Sequence, residues 1–342
     1  MSFDFTVERN STKWVLGADG YLKEYANDEA AIEFNADGSY KGVLVEPQSV
    51  NEALQSEDLD NATYWDFTRT TIATDTETDP KGGTNSFLLS ETTNNDSHYI
   101  ITDPGYFVSV ASGETWTSSV FLKKGDGANA PDIIQLTHLP GTFGASQYAN
   151  FDISVGGGTV TYSIGGTGRI RYYGNGWYRI SFTATSTGAG TAGFLLGFTN
   201  DNPTATRLPT YAGQTDANVF VWGAQLEESP IATSYIPTTT GAVTRVKDDI
   251  YLTSASSLIG QTEGTLFIEV DWQKSSVIGQ YILGVSDGTG NNRINIYNNN
   301  TSDELSMIAR VDGNTVTNQG QTSTSYTGIQ KIAFAYKTNA IF

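Results

Sequence analysis

The chain has 342 residues, more than one hydrophobic core comfortably serves, so two or more domains are expected. It carries 19 Lys and Arg against 37 Asp and Glu, a formal charge of −18. That balance argues against a nucleic-acid partner, because basic side chains must replace the counterions along a phosphate backbone. Cysteine is absent, which removes disulfides and thiolate metal sites, and no apolar run approaches the ~18 residues of a membrane-spanning helix.

Residues 1–50 hold short β-like pieces, Phe3–Val7, Lys13–Leu16 and Ala31–Phe34, with tight turns at Asp19-Gly20 and Asp37-Gly38. The pieces are too few for an independent core, so this stretch reads as an N-terminal attachment or oligomerisation arm that needs a partner surface. It is also acidic: residues 1–60 contain 13 Asp and Glu against 4 Lys and Arg, half of the net charge. The plain reading is a solvated surface; the sharper one is a face that docks on a basic partner. The first residues lack the basic stretch and apolar centre of a secretory signal, so release by cell lysis is the expected route outward.

Residues 51–236 read as the main body. Asn51–Glu57 could form one helical turn. After it come Ser86–Ser90, Thr115–Leu122, Ile133–Leu136, Thr159–Ile164, Trp177–Thr183 and Gly193–Phe198, many alternating apolar and polar as half-buried antiparallel strands do. Two patterns are the strictest, Tyr172–Ile180 with its Gly174-Asn175-Gly176 turn and Val219–Glu227. Some eight strands with long connections point to a jelly-roll β-sandwich. Residues 237–249 read as a linker. From residue 250 a second β-sandwich begins, with clean alternation in Gly264–Trp272 and Lys331–Tyr336. Its sequence stops at Phe342 directly after a strand, so residues 250–342 read as an incomplete domain.

Several pieces in this order resemble phage virion proteins built on a carbohydrate-binding-module-like jelly roll. They are the lead-in Gly42–Asn51, the opening Gln55–Trp65, the strand Ser118–Gly125, the turn Gly174–Arg179, the strand Val221–Glu227, the exit Ala232–Thr238 and the bridge Ala242–Asp248. Gly264–Val270 and Ile332–Lys337 are similar to a laminin-G or concanavalin-like module. Two departures stand out: Pro47-Gln48-Ser49 where a basic residue is usual, and Glu52-Ala53 where apolar residues are usual. The resemblance implies an all-β fibre or decoration protein of capsid or tail on the exterior of the virion. It implies other virion proteins as partners, a homotrimer by fibre geometry, and host-surface glycans as ligands. A purely structural capsid-cementing protein and a glycan-degrading tailspike enzyme are the alternatives.

Catalytic signatures are sparse. His98 and His138 each stand alone, and His98 reads as a surface or strand-edge residue. With 37 acidic residues, no carboxylate pair can be singled out for glycan hydrolysis, and the chain is expected not to be an enzyme. Sugar binding needs aromatic faces with polar neighbours. Tyr106, Phe143, Tyr148, Tyr172, Tyr173 and Tyr211 lie in or beside loops, whereas Trp116, Trp177 and Trp222 lie in strands and suit a core. The glycan-binding candidates are Tyr172 and Tyr173 beside Arg171, then Tyr148 and Tyr211; capping of a sandwich edge is the competing reading. No cofactor is required. Jelly rolls of the resembled kind often hold a structural Ca2+ near the opening segment, where Glu57, Asp58 and Asp60 lie, and Asp287–Asn292 is a second oxygen-rich loop. Solvated acidic turns are the preferred account of both stretches.

Overall fold

The computed structural model describes residues 5–154, 156–260, 262–272, 280–299, 304–322, 328–337 and 340–341. Nearly all of the regular structure is β, and every strand pairing is antiparallel, as the alternating patterns predict. The start of the expected Phe3–Val7 piece and the terminal Phe342 lie outside the described residues; the first strand observed is Thr6–Glu8. The chain divides into two compact units at Tyr251 and Leu252.

Two six-stranded sheets form the centre of the first unit. One runs Thr159–Ile164, Tyr148–Asp152, Ile133–Thr137, Leu195–Phe198, Tyr99–Thr102, Trp65–Thr68. The other runs Thr167–Gly174, Trp177–Thr185, Thr115–Lys124, Asn218–Glu227, Ser86–Glu91, Thr70–Asp75. The inward residues of both, among them Ile134, Leu136, Phe151 and Leu196 on the first and Val120, Leu122, Ile180 and Val221 on the second, share one core. At one rim the chain passes between the sheets through Arg69 alone, which takes a left-handed φ of 54°. At the other rim Gly165-Gly166 makes the crossing. Edge strands are thereby tied to each other, which blunts their exposed ladders.

The second sheet is buried on both faces, so Asn218–Glu227 is buried along its whole length. Val219, Val221, Ala224 and Leu226 enter the central core, while Phe220 and Trp222 face outward. The register shifts opposite Ser119 to Phe121, and Gly223 supplies the positive φ (67°) there. A Cβ at Gly223 would lie 3.1 Å from both the Phe121 and Tyr235 rings.

Residues 5–51 cover that outward face. Two hairpins, Lys13–Leu16 with Leu22–Tyr25 and Ile32–Phe34 with Tyr40–Val43, turn at Gly20 and Gly38, whose φ values are 80° and 79°. Leu16 and Leu22 pack into an aromatic cluster of Phe121, Tyr173, Trp177, Phe220, Trp222 and Tyr235. The segment expected to need a partner surface thus finds one on its own chain, because the outer face of the sandwich is apolar there. The expected linker is likewise part of the first unit: Val243–Arg245 pairs with Ser49–Asn51, Asp249–Tyr251 pairs with Thr6–Glu8, and Arg245 is buried. Since Thr6 pairs with Tyr251, the chain leaves this unit beside the strand that begins it. Asn51 ends the Ser49–Asn51 strand, and residues 52–57 form bends and a turn and no helix.

The second unit has a three-stranded sheet, Glu263–Trp272, Gly328–Lys337 and Ala340–Ile341, and a four-stranded one, Gln280–Ser286, Arg293–Asn299, Glu304–Val311 and Asn314–Thr322. Ile296, Ile332 and Phe334 centre its core with Leu266, Ile268 and Met307 around them.

Candidate functional site

The junction of the N-terminal segment with the sandwich is built from charge as well as apolar contact. Arg9 and Lys13, both fully buried, donate to the two carboxylate oxygens of Asp248 at 2.9 and 2.6 Å. Lys13 also reaches Glu46 at 3.0 Å and the Leu44 carbonyl at 2.7 Å. Burial alone would raise the Glu46 carboxyl, but Lys13 and Arg245 outweigh it and hold the group well below the usual carboxylate range. On the other side of the junction Lys81 places its Nζ 4.0 Å from the Trp14 ring centroid, 5.5 Å from Trp222 and 5.8 Å from Tyr235, and pairs with Glu57. A caged ammonium of this kind gains from the negative faces of the rings.

Beside Lys81 an open groove of about 660 Å³ runs along the first hairpin, lined by Tyr21, Tyr25, Ile32 and Phe34 with Asp19, Lys23 and Lys81 among its polar groups. Gly82 lies against the Tyr21 ring, where a Cβ would come within 3.4 Å. Tyr25 is held from below, its hydroxyl donating to the Ile32 carbonyl at 2.9 Å, and Lys23 lies over its ring at 4.7 Å. Rings for the apolar side of a sugar, with a carboxylate and an ammonium for its hydroxyls, are the groups a saccharide site uses. Asp19 is the only carboxylate in the lining, and glycoside hydrolysis by acid and base takes two. The groove has the groups to hold a ligand.

Arg171 and Tyr173 border this junction without opening onto it as free ligand groups. Arg171 pairs with Glu33 and donates to the Phe34 carbonyl, and Tyr173 packs edge-on against Phe121 at 5.0 Å. Both seat the N-terminal segment. Tyr172 is 44% exposed and lies against Tyr178. Asn175, in the turn that follows, donates to the Gly20 carbonyl at 3.3 Å. Tyr148 and Tyr211 are elsewhere. Tyr148 is buried on the outer face of the first sheet against Tyr162, and burial and that neighbour raise its phenol. Tyr211 donates to Glu91 and lies 5.0 Å from the His98 ring.

Among the described residues no three His, Asp or Glu side chains gather as a metal site would require. Glu57 is engaged by Lys81, and Asp58 accepts from Asn61 at 2.9 Å. Burial and the neighbouring Asp58 raise the Asp60 carboxyl. Asp287 closes its own loop by accepting from Thr289 and Asn292. His98 is not at the surface but fully buried, as is His138. The His138 ring stacks on Phe143 at 4.5 Å, and burial pushes its imidazole down to about 4.

Sequence reasoning missed Tyr21, Phe34, Lys23 and Lys81. The available signal was the Asp19-Gly20 turn, which places Tyr21 just before the strand Leu22–Tyr25; nothing local links it to Lys81. The chain matches no known protein-family model and has no significant similarity to a curated protein.

Proposed function

We propose that the chain is a bacteriophage virion protein, a fibre or decoration component of capsid or tail, that works by binding host-surface glycans and not by catalysis. In this reading residues 51–236 are a carbohydrate-binding-module-like jelly roll, and residues 250–342 are a laminin-G or concanavalin-like module. The protein is a homotrimer on the outside of the particle, anchored to other virion proteins.

One observation carries the reading. Three stretches that resemble such proteins, individually weak and far apart in sequence, meet at a single side chain. Asn51, from the lead-in, accepts from the Leu226 N–H at 3.0 Å and donates to the carbonyls of Ala224 and Ile236. The lead-in, the strand ending at Glu227 and the exit segment therefore form one structural unit, which supports reading them as parts of a single module. The aromatic groove over Tyr21 and Phe34 is the glycan site in this reading.

A saccharide array tests the ligand: the protein should retain bacterial surface glycans, and Tyr21→Ala with Phe34→Ala should abolish that retention. Labelled antibody on intact particles tests the location. A structural decoration protein without sugar binding is the second reading, favoured by the use of Arg171, Tyr173 and Tyr148 in packing. Labelled particles with a silent array would select it.

A further inference from the structure

The outer face of the first sheet carries a row of buried polar side chains. Gln135 and Thr137 alternate with the core residues Ile134 and Leu136, and Asn150 alternates with Ala149 and Phe151. All three outward side chains are buried. What covers them is the connection from residue 200 to 210, which crosses the sheet as a strap.

The strap is held through its backbone. Asn150 Nδ2 donates to the Ala205 carbonyl at 2.9 Å and the Pro203 carbonyl at 3.3 Å. Gln135 Nε2 donates to the Thr206 carbonyl at 3.1 Å, and Gln135 Oε1 accepts from the Leu208 N–H at 2.8 Å. Thr161 Oγ1 donates to the Pro203 carbonyl at 2.9 Å. Arg207 Nε donates to Thr137 Oγ1 at 2.8 Å.

Asp201 Oδ1 also accepts from the Asp132 and Ile133 N–H groups at 2.8 and 3.0 Å, and Arg207 Nη2 donates to the His138 carbonyl at 3.0 Å, so the strap is held by hydrogen bonds and hardly at all by burial. From residue 200 to 210 only Ala205 is buried. Three non-glycine residues there have left-handed φ: Asn200 (55°), Asp201 (53°) and Leu208 (43°). Asn and Asp tolerate that region, but a Leu in it is strained. A segment with few apolar contacts and stored backbone strain belongs to the low-stability end of a fold.

The groups beneath it are those that read sugar hydroxyls: two carboxamides and a threonine hydroxyl. On the same sheet Tyr148 and Tyr162 lie with ring centroids 5.6 Å apart and planes 30° apart, Tyr162 being 36% exposed. We infer that residues 200–210 are a displaceable strap, whose backbone occupies a saccharide-binding face formed by Gln135, Thr137, Asn150, Tyr148 and Tyr162. The ligand is an uncharged oligosaccharide, since none of these five side chains carries a charge and its hydroxyls would take over the bonds now made by the strap. The ligand class rests on the glycan-binding reading above, while the site is separate from the groove over Tyr21 and Phe34.

A cysteine-free chain allows a clean test. A Cβ at Gly197 would lie 2.4 Å from Leu208 Cδ2, so Gly197→Cys with Leu208→Cys can lock the strap onto the sheet. The pair is made in a Phe34→Ala background to disable the groove. Its reduced form should bind neutral oligosaccharides on an array at least tenfold more tightly than its oxidised form. In the same background, replacing residues 202–206 by two glycines should raise binding at least tenfold, and adding Asn150→Ala should remove the gain. Equal binding by oxidised and reduced protein overturns the inference. So does a shortened variant that keeps its near-ultraviolet dichroism yet binds none of the array. If the shortened variant does not fold, the disulfide pair decides alone. The groove reading fails separately, if Phe34→Ala leaves the wild-type array pattern unchanged.

Discussion

Lys13 Nζ lies 2.6 Å from Asp248 Oδ2, although 235 residues separate the two. Neither side chain is more than 1% exposed. Asp248 also receives Arg9 at 2.9 Å and the Glu46 N–H at 2.8 Å, so one carboxylate fastens the N-terminal hairpins to the end of the first unit. Replacing a buried ion pair with apolar residues can be neutral, but removing one member strands the other in a poor solvent. Asp248→Ala leaves Arg9 without a carboxylate partner and Lys13 with Glu46 alone, and should cost about 3 kcal/mol, the low end for a broken buried pair. Five of the six tryptophans precede residue 252, so urea unfolding followed by tryptophan fluorescence reports mainly on this unit. A loss under about 1 kcal/mol would show that the apolar contacts of Leu16 and Leu22 hold the segment without the lock.

The opposite side of the junction should respond more weakly. Lys81→Met keeps a long apolar stem under Trp14 but removes the ammonium from its cage and from Glu57. Cation–π contacts at partly exposed sites contribute about 0.5–2 kcal/mol, and the exposed share of the Glu57 pair adds little. The expected result is a loss of about 1 kcal/mol, with faster amide exchange in the Lys13–Leu16 and Leu22–Tyr25 hairpin and unchanged exchange in Ile133–Thr137. Equal acceleration in both places would mean that Lys81 acts on the whole unit.

Acid should weaken the first unit in two steps. The unfolded chain protonates His138 near its ordinary value of 6.5, while burial holds the folded imidazole at about 4. Between these values the unfolded state binds more protons, so stability falls as pH falls, by about 3 kcal/mol across the window. Glu46 acts at lower pH. Its folded carboxyl stays ionised far below the ordinary 4.5, so its contribution is present above that value and is lost as pH drops beneath it. Urea midpoints at pH 7, 5.5 and 4 should show the first step, and His138→Gln should flatten it. An unchanged slope in that variant would remove His138 as the cause.

Much of the strand map was legible because it is local. Asn175 and Gly176 take positive φ values of 53° and 84°, as an Asn-Gly hairpin turn requires, and Trp177–Thr185 sends Tyr178, Ile180 and Phe182 inward with period two. The Thr159–Ile164 strand falls on its expected residues. What was not legible depends on contacts distant in sequence. Arg171 and Tyr173 look like loop-edge sugar ligands until Glu33 and Phe121 are seen beside them. Residues 237–249 have the composition of a linker, and only the pairings with Ser49–Asn51 and Thr6–Glu8 make them structural. His98 follows a turn-rich polar stretch that reads as surface, yet the short strand Tyr211–Ala212 and Gly213 close over it. The groove escaped notice for the same reason: Tyr21 and Lys81 are 60 positions apart in the numbering and meet only through the fold.

Glu227 offers the sharpest test of the polar layer that joins lead-in to exit. Its carboxylate is fully buried and accepts from the Ser49 hydroxyl at 2.5 Å, Gln225 Nε2 at 2.7 Å, the Thr233 N–H at 2.9 Å and the Thr233 hydroxyl at 2.7 Å. Every one of these partners is a neutral donor. Glu227→Gln is nearly isosteric but turns one acceptor oxygen into an NH2. The Ser49 and Thr233 hydroxyls can turn to accept from it, but their own protons then lose the acceptor they had. A buried donor without an acceptor costs about 1–3 kcal/mol, and the stability loss should fall in that range. Ser49→Ala removes one donor and should soften the effect when added to Glu227→Gln, so a double-mutant cycle should give a coupling of about 1 kcal/mol. Additive losses would place the two residues in separate networks, and the joint between residues 49–56 and 229–239 would then rest on Asn51 and on the hydrogen bonds of Ser56 with Tyr235 and Thr238.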